Sequence, residues 1–118
     1  MIDSQSANEF ADHWIKAWNA HDLEEILSHY TDDFEMTSPV IVGTMNEPSG
    51  KLKGKESICV YWSKALANYP ELHFYKRHVL VGASSVTIIY DGVKGLSAEV
   101  FHFNDQTKVY AAYAHYDL

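Results

Sequence analysis

A single carboxyl group near the end of the chain shares a predicted strand face with two aromatic rings. Glu99 alternates with Phe101 and Phe103, and side chains two residues apart on a strand point to the same side. If that side faces the interior, burial raises the carboxyl pKa and makes Glu99 a hydrogen-bond donor or general acid. In the alternative, Val100 and His102 point inward and Glu99 is solvated. The two phenylalanines favour the inward placement, so Glu99 is the candidate catalytic residue.

Other aromatic and small polar residues are candidates for the wall of a pocket around this carboxyl. Strand periodicity brings Phe34, Met36 and Ser38 to one face, and helical spacing puts Trp14 and Trp18 in one stripe. Such stripes are also typical of a plain hydrophobic core. The predicted pocket residues are Trp14, Trp18, Tyr30, Phe34, Met36, Ser38, Tyr61, Phe101, Phe103 and Tyr116.

The histidines, lysines and cysteine do not form a recognisable ligand motif. His73 and His78 are five residues apart on a predicted strand, which puts them on opposite faces, and no HExxH motif accompanies them. The glycines around the lysines of residues 50–55 have a spacing one residue short of a phosphate loop. Cys59 lacks an activating partner. We therefore predict no metal site and no cofactor.

Composition places the chain among ordinary globular proteins. Its 118 residues are 47% apolar and 21% charged, so we expect one domain over residues 1–118. The formal charge of −7 repels phosphate backbones, which argues against nucleic acid as a partner. We find no signal-peptide pattern and no stretch long enough to span a bilayer, so we expect no membrane association. A lone cysteine agrees with a cytoplasmic location.

Three helices are predicted in the first 68 residues. Ser6 and Glu9 have capping-box spacing at the start of a helix over residues 7–20, and Asp22 caps a second helix that reaches Tyr30. A strand over residues 34–38 ends at Pro39. Residues 40–54, rich in glycine and lysine, are predicted to be an exposed loop and a candidate lid. The third helix covers residues 55–68.

The rest of the chain is predicted to be β-structure. Strands over residues 72–81, 86–90, 95–103 and 108–116 are separated by segments with turn residues. Helices followed by hairpin-linked strands indicate an α+β fold, with three N-terminal helices packed on a curved antiparallel sheet.

Several local strings resemble the ketosteroid isomerase and SnoaL-like branch of the nuclear transport factor 2-like superfamily. They are WNAHDLEEILSHYTDDFEM from Trp18, GKESICVYW from Gly54 and AEVFHFNDQTKV from Ala98. The resemblance covers nearly the whole chain. It implies a cystatin-like, cone-shaped sheet closed by helices, an apolar pocket at one end, and dimerisation through the outer sheet face.

The catalytic positions of the isomerases that this chain resembles are only partly kept. Their helix tyrosine falls on Trp14, their proton-shuttling aspartate on Ser38, and their late-strand acid on Glu99. A serine hydroxyl without a neighbouring base has too high a pKa to accept a substrate proton near neutral pH. We therefore expect no steroid isomerisation by the mechanism of that family. The acid of SnoaL-like cyclases is also missing from the last strand, where the sequence is Tyr113, Ala114, His115.

Two functions follow from the sequence. In the first, the protein is an isomerase-, cyclase- or hydrolase-like enzyme that acts on an apolar carbonyl metabolite, with Glu99 as the acid. In the second, it is a non-catalytic module for ligand binding or dimerisation. Both include an apolar small molecule in the cone and a homodimer, since Tyr113, His115, Val100 and His102 would form an apolar, aromatic outer face.

Overall fold

Helices and two strands occupy the first half of the protein, and a four-strand meander forms the second half. The structure is a computed structural model that describes residues 2–118. Its elements are α1 (Ser4–Asn19), α2 (Leu23–Leu27), β1 (Tyr30–Thr37), α3 (Pro39–Thr44), β2 (Lys51–Lys53), α4 (Lys55–Asn68), β3 (Tyr75–Val81), β4 (Ser85–Gly92), β5 (Gly95–Phe103) and β6 (Val109–Tyr116). Over the described residues, no helix is long and apolar enough to cross a membrane.

One six-stranded sheet forms the base on which the helices pack, so the predicted α+β fold is confirmed. The strand order is β2-β1-β6-β5-β4-β3. Every neighbouring pair is antiparallel except β1 and β6, which run parallel and correct the all-antiparallel prediction. Register shifts leave extra residues in β1, in β3 and, at Tyr110, in β6, and such bulges bend a sheet.

The first helix brings two indole rings over the sheet. Ala7 and Ala11 are completely buried, and these small side chains allow α1 to lie close to the strands, while Trp14 and Trp18 fill the space beyond them. The helix begins earlier than predicted because Asp3 is the N-cap and accepts a hydrogen bond from the Ser6 backbone N–H at 2.7 Å. The predicted cap at Ser6 is therefore wrong.

The segment of residues 40–54, predicted as an exposed loop, contains a helix and an edge strand. Ser38 caps α3 by accepting a hydrogen bond from the Val40 backbone N–H, and Pro39 occupies its first turn. β2 then pairs with β1, with Leu52 opposite Met36. These contacts tie the segment to the sheet, which corrects the prediction of a free loop.

Two other boundaries differ from the sequence prediction for a physical reason. Tyr30 begins β1 and does not end the second helix. Residues 72–74 are not part of β3. Asn19 takes both backbone bonds of Phe74, the residue next to the strand: its Oδ1 accepts from the N–H at 2.6 Å, and its Nδ2 donates to the carbonyl at 3.0 Å. α4 and β5 have the predicted bounds.

Candidate functional site

Glu99 points from the middle of β5 into the interior, on the side of the sheet that the helices cover. It stands opposite Ile88 of β4 and Ala114 of β6. Only 4% of Glu99 is exposed to solvent, whereas Val100 on the other face is half-buried. The alternation with aromatic residues therefore gave the correct side for this carboxyl.

Burial without a counter-charge determines the protonation state of Glu99. Removal from water raises the pKa of the carboxyl from 4.5 to about 8, and the hydrogen bond from Tyr90 opposes that rise in part. The Tyr90 hydroxyl lies 3.4 Å from Glu99 Oε1. Among residues 2–118, no lysine, arginine or histidine forms an ion pair with Glu99. The carboxyl is therefore mostly neutral at pH 7, and its own O–H is available to donate to a ligand.

Four tyrosine hydroxyls surround this carboxyl and remain protonated. Burial is the main cause that raises the pKa of each phenol, and the nearby Glu99 raises it further. The four are Tyr30, Tyr61, Tyr90 and Tyr116. A cluster of phenols around one neutral carboxyl is rich in O–H donors and contains no fixed charge.

The indole nitrogens of α1 differ in whether they have a partner. Trp14 Nε1 donates a hydrogen bond to the Tyr30 hydroxyl at 3.1 Å, so it is already used within the protein. Trp18 Nε1 is buried and has no acceptor among the described residues. A buried donor without a partner costs free energy that an acceptor oxygen of a ligand would recover.

A small, partly open cavity, here called the Glu99 cavity, lies beside the carboxyl. Its volume is about 70 Å³, roughly half of the ~150 Å³ in which a buried cavity holds benzene. Six predicted site residues line it: Glu99, Trp14, Trp18, Met36, Tyr61 and Tyr116. The sequence prediction did not include the other lining residues, namely Val40, Trp62, Ala65, Tyr69, Leu72, Phe74, Tyr90, Val93 and Lys94.

Five predicted pocket residues lie outside the wall of the cavity. Tyr30, Phe34 and Phe101 are part of an aromatic layer behind it, in which the Tyr30 and Phe34 ring centroids are 4.3 Å apart. Ser38 is buried and its hydroxyl caps α3, although it also offsets part of the rise in pKa of Tyr61 and Tyr116. Phe103 packs against Phe10, at a centroid distance of 4.9 Å, and faces a different groove.

Of the missed residues, Tyr90 matters most because it contacts Glu99 directly. The sequence contained a signal for its inward direction, because Val86, Ile88 and Tyr90 alternate along one strand and their side chains therefore share one face, which is buried. Its contact with Glu99 depends on the register between β4 and β5, which the sequence does not specify.

A second groove, lined partly by Phe10, His13, His29 and Phe103, shares no residue with the Glu99 cavity. His13 Nε2 lies 2.8 Å from Oε1 of Glu25, and the rings of His13 and His29 meet edge to face. Burial, His13 and Lys108 together lower the pKa of His29 to about 4. Residues 2–118 contain no cluster of three or more His, Cys, Asp or Glu side chains able to hold a metal ion.

Comparisons with known proteins agree on one family. The family model described as SnoaL-like domain matches residues 11–116. The crystal structure of a SnoaL-like protein of unknown function from Burkholderia thailandensis has a TM-score of 0.96 and 52% identity, over 99% of this chain and 98% of that one. No curated protein matches this sequence.

More distant structures share the fold only. A candidate isomerase of the SnoaL-like family from Agrobacterium tumefaciens is 13% identical, with a TM-score of 0.74 over 95% of this chain and 97% of that one. IdmH, a candidate polyketide cyclase from Streptomyces antibioticus, is 14% identical, with a TM-score of 0.74 over 92% of this chain and 90% of that one.

Proposed function

Because this chain belongs to the family of SnoaL-like domains, we propose that it binds a small carbonyl compound and polarises the carbonyl with the protonated carboxyl of Glu99. The main support is the burial of Glu99 beside a small cavity. A carboxyl group with a pKa near working pH is suited to general acid catalysis, since it is protonated and still able to release its proton. Two structures with the same fold are described as a candidate isomerase and a candidate polyketide cyclase, which is compatible with a small-molecule enzyme.

The proton moves between two oxygens in the proposed step. Glu99 donates a hydrogen bond to the ligand carbonyl oxygen, and its O–H bond breaks as the O–H bond on the ligand forms. Tyr90 donates to the carboxylate that remains, which stabilises it. Among the described residues that line the cavity, Glu99 is the one carboxyl and there is no imidazole, while the amine of Lys94 forms no ion pair with Glu99.

Two measurements test this function with butan-2-one as the probe. Binding, followed by NMR, is expected to weaken above pH 8 as Glu99 loses its proton, and to lose that dependence in Glu99→Gln. With the carbonyl oxygen protonated by Glu99, solvent water removes the α-proton to give the enol, and the reverse steps return a deuteron from D₂O, so the protein is expected to accelerate exchange of the α-protons of the ketone. Glu99→Gln is expected to reduce this acceleration about 10²- to 10⁴-fold. Binding that is equally strong at pH 6 and pH 9 would contradict the role of the carboxyl.

One observation favours a second function, a binding module without catalysis. Ser38 stands where the isomerases place their proton-shuttling aspartate, and its hydroxyl is occupied as the cap of α3. A side chain with this structural role supplies no base to the cavity. Binding of butan-2-one without any acceleration of α-proton exchange would establish this second function in place of the first.

For the outer sheet face we propose a second copy of this chain as the partner. Two rows of residues cross β3, β4, β5 and β6 on that face: Leu80, Thr87, Val100 and Tyr113, and beside them His78, Ile89, Ala98 and His115. Neither row contains Asp, Glu, Lys or Arg, although the whole protein has a net charge of −7. Two such faces meet without burying like charges, which favours self-association.

A further inference from the structure

The Glu99 cavity opens beside a larger surface groove. This outer groove has a volume of about 630 Å³ and shares Tyr69, Leu72 and Val93 with the wall of the cavity. A volume of 70 Å³ admits a group of about three non-hydrogen atoms, such as an acetyl group. Another groove of about 370 Å³ shares Val40 and Lys94 with the cavity, but the outer groove is larger and offers aromatic surface, so we take it as the place for the rest of a larger ligand.

The last residue of α1 and a residue just after the helix hold the floor of the outer groove in place. Asn19 bonds both the N–H and the carbonyl of Phe74, and the His21 ring lies 2.9 Å from the Leu72 carbonyl oxygen. Residues 72–74 are thus fixed at both ends without belonging to a strand. A preformed groove loses less entropy when a ligand binds than a flexible one does.

The hydrogen bonds of Asn19 also determine which nitrogen of His73 carries its hydrogen. Because a backbone N–H must donate and a carbonyl must accept, the Phe74 bonds fix Oδ1 and Nδ2 of Asn19. The same Nδ2 lies 3.3 Å from His73 Nε2, so that ring nitrogen accepts. In the neutral ring the hydrogen is then on Nδ1, which becomes the donor for a ligand.

The chemistry of the outer groove suits a flat, uncharged ring with a hydroxyl group. The His73 and Tyr75 rings lie with their centroids 4.7 Å apart, and Tyr75 is 63% exposed, so both offer aromatic surface. Glu71 also lines the groove and disfavours an anion. A hydroxyl group is able to accept from His73 and to donate to Glu71.

We infer that the ligand has two parts: an acetyl-sized carbonyl head in the Glu99 cavity and an uncharged, hydroxyl-bearing planar ring in the outer groove. The inference rests on the proposed function for the head. The ring part of the inference rests on the three residues that line both the cavity and the groove and on the hydrogen bonds that hold residues 72–74. It also rests on the hydrogen-bond donor and the aromatic rings of the outer groove.

Three probes separate the two parts in the full-length chain at pH 7. They are butan-2-one, 4-phenylbutan-2-one and 4-(4-hydroxyphenyl)butan-2-one, with Kd measured by NMR titration. The phenyl group is expected to tighten binding at least tenfold over butan-2-one, and the hydroxyl about threefold further. Backbone shifts caused by the ring are expected in residues 68–75. A ring that adds less than threefold, or no binding by any of the probes, would overturn the inference.

Two variants test the groove residues one at a time. His73→Phe keeps an aromatic ring and removes the donor, so only the gain from the hydroxyl is expected to disappear. Tyr75→Ala is expected to remove most of the gain from the phenyl ring. Tyr110→Ala is the matched control, because Tyr110 is also an exposed strand tyrosine and does not line the groove. Equal effects of Tyr75→Ala and Tyr110→Ala would count against the groove.

Butan-2-one also separates this inference from the proposed function. It reaches little beyond the cavity, so its pH dependence reports on Glu99 alone. In one outcome, the Kd of butan-2-one is the same at all pH values, while the phenyl ring still tightens binding and Tyr75→Ala removes this effect. The proposed function then fails and the groove remains a ligand site. If its binding follows Glu99 while the ring adds nothing, the proposed function stands and the two-part ligand is rejected.

Discussion

Tyr90 and Glu99 lie on adjacent antiparallel strands, and their side chains meet on the inner face of the sheet, with the phenol oxygen 3.4 Å from the carboxyl Oε1. Both groups are buried, and no cation is paired with either of them among residues 2–118. Burial raises the pKa of both groups, with different consequences because their ordinary values differ. It keeps the phenol permanently protonated, whereas it brings the carboxyl pKa close to neutral pH.

Glu99 makes the stability of the protein depend on pH. Its pKa is 4.5 in the unfolded chain and about 8 when folded, so the folded state binds the extra proton between these values. Stability is thus expected to fall as pH rises from about 4.5 to 8, by up to ~1.4 kcal/mol per pH unit from this group. Glu99→Gln has no carboxyl to titrate, so its free energy of unfolding should not fall over this pH range. At pH 8 it should be more stable than the wild type in urea denaturation.

Glu71→Gln is the control for this experiment, because it makes the same chemical change on an exposed residue. Its unfolding free energy is expected to follow the wild-type pH profile. Parallel profiles for Glu99→Gln and the wild type between pH 5 and 9 would show that the carboxyl titrates normally.

Removal of the Tyr90 hydroxyl is expected to raise the pKa of Glu99 further. The hydrogen bond from Tyr90 favours the carboxylate and opposes the effect of burial. Tyr90→Phe keeps the ring and deletes this bond, so the pKa should increase, by less than about one unit because a single long hydrogen bond has a modest energy. Carbon-13 NMR of the Glu99 carboxyl measures the change directly. Tyr113→Phe, on the outer face, should leave the pKa unchanged, and a decrease in Tyr90→Phe would contradict the assigned direction.

The side of the sheet that Glu99 faces was predictable, because two-residue alternation is a local property and β5 has the predicted bounds. The contact with Tyr90 was not, because it depends on the pairing of two strands. The same alternation gave a wrong prediction for Phe103 as a residue of the pocket. It indicates the side of the sheet that a residue faces, but not how far along the strand the residue lies. Four residues from Glu99, Phe103 is displaced by about 13 Å in an extended strand, and it faces another groove.

The segment around Ser38 shows a different limit of the sequence. A serine followed by proline is a common start of a helix, and that signal was present. The glycines and lysines of residues 40–54 nevertheless suggested a loop, because the pairing that orders them comes from β1. The fold class was clear from the order of elements, whereas residues ordered by distant partners, such as Asn19 with Phe74, were not.

Ser38 is expected to act through structure and not through proton transfer. Ser38→Ala removes the cap of α3 and should lower the free energy of unfolding by about 1 kcal/mol. Binding of butan-2-one should stay within about twofold of the wild type. Ser84→Ala, on an exposed turn, is the matched control and should change neither quantity. A large loss of α-proton exchange in Ser38→Ala at unchanged affinity would instead assign the hydroxyl to the reaction.

His29 is expected to limit stability in acid. Its pKa falls from 6.5 to about 4 on folding, so the unfolded chain binds the extra proton between these values, and stability decreases as pH falls through this window. His29→Phe preserves a ring against Phe10 and removes the titration. The variant should therefore lose less stability than the wild type between pH 6.5 and 4.5, as measured by denaturant unfolding.

The charge of Lys108 provides an independent check on His29. Lys108→Gln deletes a nearby positive charge and should raise the pKa of His29 in an NMR titration. Lys64→Gln makes the same charge change at a site that does not act on His29, and it should have no such effect. If both variants shift His29 equally, the nearby charge of Lys108 is not what depresses its pKa.

The outer sheet face is expected to hold two copies of the chain together. Tyr113 lies in the uncharged rows of that face and is 37% exposed, so Tyr113→Glu puts a carboxylate into the proposed interface of each copy. The paired charges are costly to desolvate and should raise the dimer Kd at least tenfold. Val60→Glu adds the same charge at an exposed position of α4, away from the sheet face, and should leave the dimer intact. Sedimentation at micromolar concentration should give about twice the monomer mass of 13.4 kDa for the wild type and Val60→Glu. A wild-type protein that sediments only as the monomer would remove the second copy as the partner of this face.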